Sequence, residues 1–345
     1  MRNPTTHFFL RPEAFSLKPV LRPVVLALFL MLACPRAGTG DELILRSCKF
    51  FDYVTKQGSG GRMVTYTPSQ LDPRNEANQR TLKTSSIRAD LEALRPAFDG
   101  LVLYGYHEAC TPRILAIAED LKFRAVVLAV WDPKSLAEID GVAEMGNTYA
   151  DSFSLAVLIG NEGLTFNRYE EEDLAIAARR LRAKLPVGIP YSTSEPLVGY
   201  QRESIFDFGD FLAPNIHPVF DRPKMNAKEA ADWVHLEAAA LARRSERPVV
   251  VKETGFPHDG RGLYTSELQA EFWKEYTAPG LLVRAGTPAA AWRFHGVAFE
   301  AFDLPWKSEQ SKIDLEKSWG MLSQERKPYP AFGVWDAIGE ATAGK

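Results

Sequence analysis

The 345 residues are 46% hydrophobic and 25% charged with a formal net charge of -3, an ordinary globular balance with no basic field for a polyanion. A nucleic-acid partner is therefore not expected. No Cys-x-x-Cys pair and no His-Glu-x-x-His helix marks a zinc site, so neither a metal nor another cofactor is needed to explain the composition.

The N-terminus reads as an address. Arg2, Arg11, Lys18 and Arg22 stand against one acid, Glu13, ahead of the apolar stretch Val24 to Ala33, the order of a basic n-region and a short h-region. That stretch is well short of the roughly 20 residues a membrane-spanning helix needs, so a cleaved export signal is expected, cut between Ala33 and Asp41, with no span left afterwards. Met31-Leu-Ala-Cys34 loosely resembles a lipoprotein cleavage box with atypical first positions, and a lipid anchor at Cys34 is the lesser alternative. The expectation is an exported, periplasmic or secreted monomer. Residues 1–40 are read as signal and leader, 41–61 as a lead-in ending in Gly58-Ser-Gly-Gly61, and 62–345 as one catalytic domain. Cleavage leaves Cys48 and Cys110, either one disulfide or two buried thiols.

From Arg62 onward, apolar strand-like runs alternate with amphipathic helical ones, the rhythm of βα units. Met63 to Tyr66 is the first strand; Ile87, Leu91, Leu94 and Phe98 recur at helical spacing; Leu101 to Tyr104 is the second. Thr111 as N-cap and Pro112 at the first helical position open a helix buried along Ile114, Ala118 and Leu121. Ala125 to Val130 is the third strand.

The fourth, Ser154-Leu-Ala-Val-Leu-Ile-Gly-Asn161-Glu162, is a continuous apolar run ending in an amide and a carboxylate. Such runs suit a parallel strand covered on both faces, and parallel sheets carry their ligands at the carboxyl ends of the strands. In the next helix Glu170, Glu171 and Glu172 stand at the start and Arg179, Arg180, Arg182 and Lys184 toward the end, both suiting the helix dipole. The acidic run is thus a solvated helix start, not a metal site. Val187 to Tyr191 and Phe211 to Ile216 are the fifth and sixth strands. A helix along Ala230, Val234, Ala238 and Leu241 leads into the seventh, Val249-Val-Val-Lys252-Glu253, which delivers a second terminal carboxylate. Ser266-Glu-Leu-Gln269 reads as a capping box, Gly296 to Phe302 as the eighth strand, and Glu316 to Lys345 as the closing helix. Eight such units suggest an α/β chain forming a single (β/α)8 TIM barrel.

On that barrel Glu162 and Glu253 share one rim. Hydrolysis of a glycosidic bond with retention needs one carboxyl to protonate the leaving oxygen and another to attack the anomeric carbon, about 5 to 5.5 Å apart.

Gly160-Asn161-Glu162, Asn215-Ile-His-Pro218, Val251-Lys-Glu253-Thr-Gly-Phe-Pro257 and Phe299-Glu-Ala-Phe-Asp303-Leu-Pro-Trp-Lys307 resemble, in order, signature segments of the family 17 glycoside hydrolases, and Glu316 with Trp319-Gly320 resembles a later one. Tyr66-Thr-Pro-Ser69 and Leu103-Tyr-Gly105 look like its first two strand ends. The resemblance implies a retaining enzyme acting on β-glucan, typically β-1,3-linked, by hydrolysis or by transfer to another sugar. It carries the acid/base role onto Glu162 and the nucleophile role onto Glu253. Asn161 is then expected to bond the sugar 2-hydroxyl.

Three positions depart from the family pattern. His217 stands where many members have tyrosine, which makes the group orienting the nucleophile an imidazole that itself titrates near neutrality. Phe256 replaces a common tryptophan at the substrate. Leu304 stands where a glutamate is frequent, removing a polar contact for which Glu300 is the candidate replacement. Tyr104, Trp131 and Trp306 are candidate sugar-stacking rings, and Lys307 a donor to substrate hydroxyls or a partner of Asp303. Tyr106, His107 and Glu108 follow a strand tip as rim residues.

Three rival readings remain from the residues. His107, Glu108, His217, Glu253 and His295 are the ligand types of a metal-dependent barrel hydrolase. Gly255, Gly260, Arg261 and Gly262 are the material of a phosphate cradle. A non-catalytic glucan-binding barrel is the third.

Overall fold

A computed structural model describes residues 48–56, 60–260, 262–284 and 292–343. The segment expected to be an export signal, Cys34, residues 41–47 and 57–59 of the lead-in, and Arg261 lie outside them.

The chain is an α/β fold whose main sheet has six parallel strands in the order β5-β4-β3-β2-β1-β9. These are β1 (Met63–Thr65), β2 (Gly100–Val102), β3 (Ala125–Val130), β4 (Ser154–Asn161), β5 (Tyr191–Ser194) and β9 (Val297–Ala298). A second sheet joins β6 (Val249–Val250), β8 (Trp292–Phe294) and β7 (Leu282–Arg284), with β6 parallel to β8 and β7 antiparallel to it. The apolar runs of β3 and β4 pair from Ala125↔Ser154 to Val130↔Ile159 with the interior of both buried, as expected of strands covered on both faces.

Where strands are regular and apolar, expectation and structure agree closely; where they are polar or broken, they differ. The fifth strand is Tyr191–Ser194, not Val187–Tyr191. Val187 is 94% exposed and Gly188 turns the chain at positive φ, while the true strand hides its hydroxyls by bonding, Ser192 Oγ to Phe211 O at 2.5 Å and Ser194 Oγ to Asn215 Oδ1 at 2.9 Å. Residues 211–216 form no regular strand; they make isolated parallel bridges, Leu212↔Val249, Pro196↔Asn215 and Asn215↔Glu253, because Pro214 has no N–H to give the ladder. The eighth run is reduced to Val297–Ala298.

Helix starts also moved by one residue. Cys110, not Thr111, occupies the N-cap position of the helix Thr111–Asp120, without a side-chain bond, and Thr111 Oγ1 instead accepts from His107 N at 2.9 Å. Thr265, not Ser266, caps Ser266–Thr277 through Leu268 N at 3.2 Å. The helix Glu171–Arg182 has its box between Glu170 and Asp173, so the acidic run is a helix start.

The lead-in contributes a helix, Lys49–Thr55, that buries Phe50, Phe51, Tyr53 and Val54. Phe51 meets Phe211 and Trp292 at ring distances of 6.0 and 5.4 Å, and Tyr53 Oη donates to Asp99 Oδ1 at 2.7 Å. Asp99 precedes β2, Trp292 begins β8 and Phe211 precedes the bridge Leu212↔Val249, so this helix closes the amino end of the strands, opposite the two glutamates. Cys48 and Cys110 are both buried free thiols. No helix among the described residues is long and apolar enough to cross a membrane.

Candidate active site

The candidate residues emerge at the carboxyl ends of the strands. Glu162 directly follows β4, in the left-handed region with φ 58°, and its N–H donates to Ser194 O at 2.7 Å. Two glycines flank it for a steric reason: a Cβ on Gly160 or Gly163 would lie 2.1 or 1.9 Å from the Tyr169 ring system. Tyr169 Oη accepts from Gly163 N at 3.0 Å. Buried Glu195 takes the following turn, accepting from Leu164 N, Thr165 N and Thr165 Oγ1 at 3.0, 3.1 and 2.7 Å.

A continuous polar chain joins the two glutamates. Asn215 Nδ2 donates to Glu162 Oε1 at 2.8 Å and to Asn161 Oδ1 at 3.1 Å. Asn161 Oδ1 also accepts from Lys252 Nζ at 2.8 Å, and Lys252 Nζ donates to Glu253 Oε1. His217 Nε2 lies 3.1 Å from Glu253 Oε2, its ring packed edge-on to Phe299 and Trp319.

The two carboxyls are driven apart in ionisation. Burial and then the negative charge of Glu253 push Glu162 up to about 7. Burial opposes ionisation of Glu253 as well, but the Lys252 ammonium and the His217 imidazole override it and hold this carboxyl well below the usual carboxylate range. Glu253 in turn lifts His217 above its ordinary value against the effect of burial. Near neutrality one group can give a proton and the other carries a charge, the pattern that separates acid from nucleophile.

The other predicted contacts are distributed unevenly. Glu300 is buried and bonds Lys307 Nζ at 2.5 Å, so Lys307 pairs with Glu300 and not with Asp303; burial raises the Glu300 carboxyl to about 7. Asp303 instead takes His258 Nε2 at 2.9 Å and Tyr329 Oη at 2.7 Å. Three expected sugar platforms carry cations on their rings: Lys252 over Tyr104 at 4.3 Å, Arg168 over Trp131 at 4.2 Å, and Arg74 over Trp306 at 5.9 Å. Phe256 is a core ring, 2% exposed and packed on Phe272 and Tyr264.

The residues of the metal reading are dispersed. His107 pairs with Glu76, Glu108 with Arg80, and His295 is buried against His235 and Tyr276, so only His217 and Glu253 meet. Among the described residues no group of three His, Cys, Asp or Glu is arranged to hold a metal. Gly255 and Gly260 are explained by packing, since a Cβ would lie 2.6 Å from Phe299 O and 2.1 Å from Leu315 Cδ2.

Sequence reasoning gave no role to Asn215, Lys252 or Glu195. Asn215 and Lys252 both stand inside the signature segments, and Lys252 left a physical signal as well: a lysine following the run Val249-Val-Val is costly to bury unless it has a partner.

Paired carboxyls of opposed ionisation at the ends of parallel strands are an arrangement suited to glycosidic-bond chemistry. The chain belongs to the BtgE/BtgC glycoside hydrolase domain family, whose sequence model matches residues 64–320. It is 23% identical over 303 residues to glucan 1,3-beta-glucosidase of Saccharomyces cerevisiae, covering 79% of this chain and 95% of that one. It is 23% identical over 290 residues to the probable glucan endo-1,3-beta-glucosidase btgC of Aspergillus flavus, covering 75% of this chain but 41% of that protein. The chain thus spans about two fifths of the length of such relatives. Among solved structures, the glycoside hydrolase family 17 beta-1,3-glucanosyltransferase from Rhizomucor miehei matches with a TM-score of 0.59 at 19% identity, covering 79% of this chain and 97% of that one. GH5_18 from Streptomyces cattleya matches at 0.56 with 19% identity, covering 83% and 81%. At these identities the likeness is one of fold.

Proposed function

We propose that the protein is a retaining, family 17-like enzyme acting on β-glucan, with β-1,3 linkages as the expected substrate, Glu162 as general acid and then base, and Glu253 as nucleophile. The observation that carries this reading is the chain Glu162–Asn215–Asn161–Lys252–Glu253, in which one carboxyl is pushed up to about 7 and the other is held ionised by Lys252 and His217.

In the first step a Glu253 oxygen attacks the anomeric carbon, the glycosidic C–O bond breaks, and the Glu162 proton goes to the leaving oxygen. In the second, Glu162 takes a proton from water, or from an acceptor sugar hydroxyl, as that oxygen displaces Glu253. With its Oδ1 engaged by two donors, Asn161 has its Nδ2 left to donate to the sugar 2-hydroxyl. The isolated bridges at Leu212, Asn215 and Glu253 support a closed (β/α)8 ring with residues 211–216 as its irregular sixth stave, and the basic and apolar N-terminus supports export.

Product anomers followed by NMR on a β-1,3-gluco-oligosaccharide test the reading. A β-configured first product is expected; an α-configured one, or full activity in Glu253→Gln, sinks it. Transfer to a second sugar, the activity named for the Rhizomucor miehei structure, uses the same two glutamates and is recognised by products longer than the substrate.

A further inference from the structure

Lys252 is the buried ammonium between the two carboxyls, 3% exposed. Its three N–H groups have three destinations: Glu253 Oε1, Asn161 Oδ1 at 2.8 Å, and the face of Tyr104 at 4.3 Å from the ring centroid. Two acceptors and an aromatic face match the three donors of the protonated form, whereas a neutral amine would lose one donor and turn a lone pair toward an oxygen or the ring face. Asn161 Oδ1 receives, besides Lys252, the same Asn215 amide that bonds Glu162. The ammonium therefore touches the nucleophile directly and reaches the acid through two amides.

We propose that Lys252 is the shared counter-ion of both half-reactions, balancing the negative charge on Glu253 before the glycosyl–enzyme bond forms and on Glu162 after it. The inference rests on the double-displacement reading above. In the resting enzyme the acid is neutral and the nucleophile is an anion. Attack of Glu253 on the anomeric carbon makes a neutral ester, and delivery of the Glu162 proton to the leaving oxygen makes Glu162 the anion. One negative charge has crossed the site, and Lys252 has kept its proton throughout. A cation placed between the two positions stabilises both states without moving, which avoids reorganisation at the moment of reaction.

Burial pulls the Lys252 ammonium below its ordinary value, Glu253 and Glu162 oppose that, and Lys307 is the further cation acting on it; His217, Glu300 and Glu316 face Glu253, and the His217 charge also acts on Glu162. His217 contacts Glu253, and Lys307 is bonded to Glu300; neither bonds the amide pair leading to Glu162. A lysine that merely packs would set neither carboxyl, and one that served only the nucleophile would set Glu253 alone. A shared counter-ion depresses both.

The test compares Lys252→Met and Lys252→Arg with the parent across pH. In Lys252→Met the acid limb of kcat/KM moves up by about 1–3 pH units, the alkaline limb also moves up, and kcat falls about 100-fold. Lys252→Arg keeps both limbs near the parent's. A bell superimposed on the parent's in Lys252→Met, or a shift of the acid limb alone, overturns the proposal. A second measurement does not depend on turnover: in a Glu253→Gln background, the Glu162 carboxyl is titrated by 13C NMR with and without Lys252→Met. A rise on removing the lysine supports the shared role, and an unchanged midpoint overturns it. If Glu253→Gln itself turns over at the parent's rate, the double-displacement reading fails instead, a result separable from either outcome for Lys252.

Discussion

Asn215 holds Glu162 from across the site, donating one amide hydrogen to Glu162 Oε1 at 2.8 Å and the other to Asn161 Oδ1 at 3.1 Å. The proposed proton donor is thus oriented by the irregular segment 211–216 and not by its own strand. Asn215→Ala removes a bond that favours the ionised carboxyl. Loss of such a charge-assisted bond is worth about 1.5–3 kcal/mol, so kcat/KM is expected to fall about 10- to 100-fold and its alkaline limb to move upward, as read from a pH–rate profile.

The parent enzyme should show a wide bell. On the proposed mechanism activity requires Glu162 protonated, a condition met below about 7 and lost above it, and Glu253 ionised, a condition lost only well below the usual carboxylate range. The alkaline limb is therefore expected near pH 7 and the acid limb far lower, measured as kcat/KM on a gluco-oligosaccharide.

Stability should carry the opposite mark at Glu162. Its carboxyl is raised from 4.5 to about 7 on folding, so in that window the native state keeps a proton that the unfolded chain has lost. The contribution is fully present below the lower value and is lost as pH rises through the upper one. Glu162→Gln keeps an acceptor for Asn215 without the charge. Its Tm should match the parent's near pH 4 and exceed it by several degrees at pH 8, by scanning calorimetry.

Gly163 and Tyr169 form a close pair behind Glu162. A Cβ at residue 163 would sit 1.9 Å from Tyr169 Cε1, and the Tyr169 ring is buried with little room to yield. Overpacking of this kind costs about 1–3 kcal/mol. Gly163→Ala should lower both Tm and kcat, and a double-mutant cycle with Tyr169→Ala should be strongly non-additive.

The two thiols should be silent in the native protein. Burial pushes Cys48 and Cys110 each up to about 11, leaving almost no thiolate at neutral pH. Ellman's reagent is expected to react with neither until the chain is unfolded, and reductant should leave Tm unchanged.

Phe256 separates a core ring from a substrate ring. Stacked on Phe272 at 5.7 Å and edge-on to Tyr264 at 5.1 Å, it should cost about 3–5 kcal/mol when cut to alanine, seen as a fall in the urea midpoint, with the KM of the folded fraction little changed.

The βα rhythm, the apolar strands β3 and β4, and the carboxylates that end two of the runs are legible in the order of residues. Those are local properties: an apolar run seeks burial wherever it lies, and a polar side chain just past the last buried residue must surface at the strand's end. Polar strands escaped this logic. Tyr191–Ser194 has no apolar signature because its hydroxyls are satisfied by Phe211 O and Asn215 Oδ1, partners only the folded chain supplies. The division of labour between the glutamates was likewise a tertiary decision. Glu162 and Glu253 are the same side chain, told apart by an amide 53 residues downstream of one and by a lysine and a histidine packed against the other. Ionisation depends on burial and on charges a few ångströms away, and only folding brings those distances about.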